Sequence, residues 1–101
     1  SATDFWSQGP TCPQCLGLPE EVRIAKAALR SGAAVIAISS EDRTFSRCWS
    51  FEVDGPRVRS ALSSFRERHR LSSMPLVALG ASSGGAFVLQ LASIVPMAAV
   101  I

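Results

Sequence analysis

The chain has 101 residues, 48% of them hydrophobic and 18% charged, which is the composition of one folded domain and excludes a disordered tail. A formal charge of +2 is too small to argue for nucleic acid or another polyanion as partner. Arg57, Arg59, Arg66, Arg68 and Arg70 fall in one helical stretch, where a solvated face explains them. The longest apolar run, Phe87 to Ile101, is broken by Gln90, Ser93 and Pro96 and falls short of the ~20 residues of a membrane span. No signal peptide is visible, and composition assigns neither compartment nor oligomeric state. The chain begins without Met and stops inside an apolar run, so it reads as a fragment of a longer protein.

Ser1 to Leu18, rich in Gly, Pro and Cys, reads as an irregular loop. Pro19 then suits the first turn of a helix, where a missing N–H is tolerated, and Glu20 and Glu21 complement its positive end. Val22, Ala25, Ala28 and Leu29 recur at helical spacing, and Gly32 is placed to end the helix. Ala33 to Ile38 is a continuous apolar run that predicts a strand buried on both faces of a parallel sheet.

Ser39 to Gly55 predicts a long loop, with Asp54 as N-cap of a second helix and Pro56 in its first turn. Val58, Ala61, Leu62 and Phe65 form the apolar stripe of that helix. Leu76 to Leu79 predicts a second strand. Ser83 to about Ile94 predicts a third helix, apolar nearly all round and therefore buried, and Met97 to Ile101 a third strand. The alternation is that of a three-layer αβα arrangement with parallel strands, a single domain with residues 19–101 as its core.

The segment Gly80-Ala81-Ser82-Ser83-Gly84 is a G-x-S-x-G between a strand and a helix, the context that a serine nucleophile elbow requires. Gly80, Gly84 and Gly85 would give clearance for a sharp turn. Ser82 would be the nucleophile, and the Ser83 backbone N–H would be one oxyanion donor. No Lys follows the glycines and there is no G-x-G-x-x-G, so a phosphate loop is not indicated. His69, the only histidine, precedes the strand that leads into Ser82, at the wrong end of the sheet to act as its base.

Cys12-Pro13-Gln14-Cys15 and Cys48 lie in loops expected at the same sheet rim as Ser82, with Asp42 and Trp49 as further rim residues. Three cysteines without a fourth ligand do not make a zinc site, and no metal or other cofactor is assigned. A loop-bracing disulfide and plain buried thiols both fit, and the odd count leaves at least one thiol without an internal partner.

Asp4-Phe5-Trp6, Cys12 to Glu21, Ser39-Ser40, Arg47-Cys48-Trp49 and Pro75 to Gly85 together carry a resemblance spanning nearly the whole chain. In these the sequence resembles a largely uncharacterised plant and algal group of the α/β-hydrolase superfamily. The resemblance implies part of an α/β-hydrolase fold, with about three strands and three helices. It also implies a Ser82 nucleophile and a second oxyanion donor from a His-Gly strand end upstream of this chain. The segment Glu41 to Ser46 looks longer than its counterpart in the group. The expected activity is a serine hydrolase of small-molecule ester- or thioester-type acyl substrates, its acid and histidine outside these residues, so that the chain alone would be inert. The alternatives are a non-catalytic binding protein with a hydrolase-like scaffold, or a thiol or metal module built on the three cysteines.

Overall fold

A computed structural model describes residues 1–101. The chain forms two compact units, Ser1–Ser39 and Ser40–Ile101. No helix is long and apolar enough to cross a membrane.

The first unit is built on α1 (Pro19–Arg30), which starts at the proline as the sequence predicts. Gly32, at φ +92°, ends it: the Gly32 N–H donates to the Leu29 carbonyl and the Ala33 N–H to that of Ala28, the paired bonds of a left-handed helix terminus. Ahead of α1 the chain is less irregular than expected. A 3-10 turn at Ala2–Phe5 holds out its carbonyls, and Leu16 and Leu18 donate to those of Thr3 and Asp4 at 3.0 and 2.9 Å. Gly17, at φ +66°, lies where these segments cross; a Cβ there would come within 3.1 Å of the Ser7 Cα. A disulfide joins Cys12 to Cys15.

The strand expected at Ala33 to Ile38 does not form. The run is irregular, and its residues are half-buried or exposed. A strand buried on both faces needs neighbours on either side and cover above and below. Within residues 1–39 the one β-type bridge is Gly9–Cys12, and no strand forms, so the apolar run has no sheet to join. The predicted three-stranded α/β-hydrolase fragment is therefore overturned: the chain has three α-helices and a single two-stranded parallel sheet, and is mostly helix and loop.

The second unit holds α2 (Phe51–Arg68), β1 (Val77–Ala78), α3 (Ser83–Leu91) and β2 (Ala99–Val100). Helix α2 starts at Phe51 rather than after Asp54, so Asp54 is inside the helix and Pro56 lies within it instead of in its first turn. The reason is the Asp54 carboxylate, which reaches back to the Ser50 N–H at 2.9 Å and so winds the chain into helix before the proline is reached. Arg70, at φ 57°, ends α2 in the conformation glycine takes at Gly32. The Leu71 N–H donates to the Arg66 carbonyl at 2.7 Å.

Val58 and Leu62 of α2 are buried, with Phe87, Val88 and Leu91 of α3 and Val95 beyond it. Helix α3 is not buried all round: its opposite side carries Leu89, 68% exposed. Strands β1 and β2 pair in parallel, Val77 opposite Ala99 and Ala78 opposite Val100. The ladder is longer than the strands themselves, because Ala98 donates to Leu76, Ile101 to Ala78 and Gly80 to Ile101 at 2.8 to 3.0 Å.

Candidate functional site

The chain leaves β1 through Leu79 and Gly80 and enters α3 at Ser83, so the reversal falls on Ala81 and Ser82. Ser82 takes φ 55°, ψ −125°, a region that side chains with a Cβ rarely adopt. The turn is drawn tight by Gly84 donating to Ala81 at 2.9 Å and Gly85 to Ser82 at 3.0 Å. Tightness is also what Gly80 serves. A Cβ at that position would fall against the Gly84 carbonyl oxygen, 2.5 Å from its carbon and 2.9 Å from the Gly85 nitrogen. These are backbone atoms, which cannot rotate aside.

Ser82 is exposed, and its hydroxyl makes no hydrogen bond within the chain. The Ser83 N–H, at the first helical position, has no acceptor in the preceding turn and donates to no other group in the chain. The turn thus presents a hydroxyl and a backbone donor on adjacent residues at the positive end of a helix.

Trp49 leads the loop before α2 onto this turn. Its N–H donates to Ser83 Oγ at 3.2 Å, and its ring stacks on Phe87 with centroids 4.5 Å apart and planes inclined 23°. The indole passes directly over Gly84, where a Cβ would stand 3.3 Å from both Cδ1 and Nε1. Gly84 is thus needed less for the bend than for the tryptophan above it, and Gly85 packs on the Gly80 carbonyl oxygen.

The loop that carries Trp49 is organised by two carboxylates. Asp42 accepts the N–H groups of Thr44, Phe45 and Ser46 and the Ser46 hydroxyl at 2.9 to 3.1 Å. Led by the Phe45 N–H, these donors outweigh desolvation and hold its pKa at about 2. Asp54, 1% exposed, accepts from the Glu41 N–H, the Ser50 N–H and Arg57 at 2.9 Å each. Burial alone would raise its pKa, but the Ser50 N–H, Arg57 and the Glu41 N–H together bring it below the ordinary carboxylate value.

Of the residues expected near Ser82, the structure brings Ser83, Gly80, Gly84, Gly85 and Trp49 together at the turn. Asp42 spends its oxygens on its own loop. Cys48 is a free, exposed thiol bonded only to Ser46. The rim placement of Cys12 and Cys15 relied on a strand at 33–38 and lapses with it. Of the states open to Cys12 and Cys15, the structure has the disulfide, and no group of three or more His, Cys, Asp or Glu side chains is placed to hold a metal. His69 ends α2, tilted against Phe65 at 4.6 Å, with no hydrogen bond to Ser82.

Sequence reasoning missed two contributors. Phe87 reads as one more apolar residue of α3, yet it is the platform for Trp49. Asp54 reads as a helix cap; the signal for its larger role was an acid four residues after Ser50 and three before Arg57. No family model, curated protein or solved structure matches the chain.

Proposed function

We propose that Ser82 is the nucleophile of a serine hydrolase acting on ester- or thioester-type acyl substrates. The observation that carries the reading is the backbone at Ser82, a non-glycine residue at φ 55°, ψ −125° whose hydroxyl is exposed at a strand-to-helix reversal. Such strain costs of order 1–3 kcal/mol and persists where the surroundings over-determine it; here the Gly84–Ala81 and Gly85–Ser82 hydrogen bonds close the turn around Ser82. In the reaction, Ser82 Oγ attacks the acyl carbon and the Ser83 N–H hydrogen-bonds the oxygen on which negative charge develops. The tetrahedral intermediate collapses to an acyl-serine with loss of the alcohol or thiol, and water then releases the acid.

A serine hydroxyl needs a base to take its proton. His69 precedes β1 whereas Ser82 follows it, so in this reading the imidazole comes from outside these 101 residues. Added imidazole is therefore part of the test. The chain is treated with a fluorophosphonate, with and without imidazole, and adducts are mapped by mass spectrometry. Ser82 should label ahead of exposed serines such as Ser46 and Ser72, imidazole should widen the margin, and Ser82→Ala should remove the adduct. Labelling of Ser82 no faster than of Ser46 and Ser72 would refute a nucleophilic role and leave a non-catalytic binding surface.

A further inference from the structure

We infer that Cys12 and Cys15 form a thiol–disulfide exchange site that decides whether residues 1–18 stay folded onto α1. This is independent of the reading of Ser82. Within Ser1–Ser39 the fully buried hydrophobic residues are Cys15, 2% exposed, and Ala25, 3% exposed. A cysteine sulfur is thus half of what passes for a core, and the bridge takes the place of the apolar packing that small folded units lack. The second unit has its own packed core in Val58, Leu62, Phe87, Val88, Leu91 and Val95, and needs no such staple.

The bridge fixes the turn from which the other contacts of the segment follow. The Cys12 N–H donates to the Gly9 carbonyl at 3.0 Å and the Cys15 N–H to the Cys12 carbonyl at 3.2 Å. Immediately after Cys15, the N–H groups of Leu16, Gly17 and Leu18 lock onto Thr3 and Asp4. With the sulfurs separated, Cys15 has no fixed position, and these three donors lose their alignment.

The two sulfurs differ in access. Cys15 is buried, whereas Cys12 is half-exposed, beside the exposed residues Thr11, Pro13 and Gln14. A dithiol reductant is therefore received at Cys12. Its thiolate attacks Cys12 Sγ, the Cys12–Cys15 bond breaks, and Cys15 leaves as a thiolate that takes up a proton. The second thiol of the reductant, losing its proton, attacks the mixed disulfide and expels the Cys12 thiolate, so that the reagent is oxidised to a cyclic disulfide. Two electrons pass to the protein pair. Helix α1 starts only at Pro19, too far on to stabilise a Cys12 thiolate, so the pair is a responsive brace and not an oxidoreductase centre.

The test uses the full chain, reduced with dithiothreitol without denaturant and compared with the oxidised form by amide hydrogen exchange. Mass after alkylation should show two reactive thiols gained beyond Cys48. Protection at Leu16, Gly17 and Leu18 should fall at least about tenfold, while that of Phe87 to Leu91 in α3 is unchanged. Reoxidation should restore it, and Cys12→Ser/Cys15→Ser should match the reduced wild type. Protection at 16–18 that survives confirmed reduction would overturn the inference, as would a bridge that resists dithiothreitol in the folded chain. Loss of protection in α3 together with 16–18 would also refute it, since the effect would then be global.

Discussion

Adding a single methyl group to Gly80 should do more damage than adding one to either of its glycine neighbours across the turn. The Gly80→Ala Cβ meets the Gly84 carbonyl and the Gly85 nitrogen, at 2.5 Å from the carbonyl carbon and 2.9 Å from the nitrogen. Relief requires moving the first turn of α3 away from β1. That move pulls on the 3.0 Å hydrogen bond from Gly80 to Ile101 and on the stack of Trp49 on Phe87, whose ring centroids are 4.5 Å apart. Overpacking against side chains costs typically about 1–3 kcal/mol, and against backbone the upper end applies, so about 3 kcal/mol is expected. Gly84→Ala meets only the Trp49 ring at 3.3 Å, which can tilt, and gains about 1 kcal/mol of helix propensity; the net loss should be near 1 kcal/mol. Gly85→Ala meets one carbonyl oxygen at 3.3 Å with the same propensity gain and should be close to neutral. The assay is urea unfolding followed by Trp49 fluorescence in a Trp6→Phe background, so that one indole reports the second unit. The ranking Gly80, Gly84, Gly85 is the result that matters. A Gly80→Ala protein within about 0.5 kcal/mol of its parent would show that β1 and α3 are not in the contact described.

Ser82 and the acid sensitivity of the loop offer two further tests. Ser82→Gly relieves the positive φ at the cost of greater freedom in the unfolded chain, and should stabilise the second unit by about 1 kcal/mol, whereas Ser82→Ala, with the strain retained, should leave the urea midpoint unchanged. Asp54→Asn keeps one acceptor but sets an amide donor against the N–H groups and Arg57, and should cost about 3 kcal/mol by the same assay. Both Asp42 and Asp54 have folded pKa values below their unfolded value of 3.8, so what they contribute is complete above that pH and lost as pH falls below it. For Asp42 the loss runs down toward pH 2, visible in the amide shifts of Thr44, Phe45 and Ser46.

Local signals were the ones legible in the sequence. Pro19 and Gly32 bracket α1 because their backbone preferences act without help from the rest of the chain. The reversal between Leu79 and Ser83 could be read because the glycine spacing, the apolar run before it and the helix after it agree. The parallel pairing of the segments around Val77 and Ala99 followed from the helix between them. What failed was the run Ala33 to Ile38, since apolar composition states that a segment can be buried and not that a sheet exists to receive it. The start of α2 failed for another reason: proline statistics favour a first-turn position for Pro56, but a buried carboxylate with three partners outweighs one missing helix hydrogen bond. Disulfide or thiol at Cys12 and Cys15 depends on where the sulfurs come to rest, which spacing alone left open.

The reach of the bonds that anchor Trp49 has a kinetic consequence. Asp54 ties Glu41 to α2 across a separation of 13 residues, whereas the Trp49–Ser83 bond spans 34. Closing the shorter loop sacrifices less chain entropy, and contacts of small separation tend to form early. The segment from Glu41 to α2 can therefore assemble while the β1–α3 region is still searching, and the indole settles over Gly84 only when the two meet. During refolding, the Trp49 signal would then lag the appearance of helix and time the completion of the Ser82 turn.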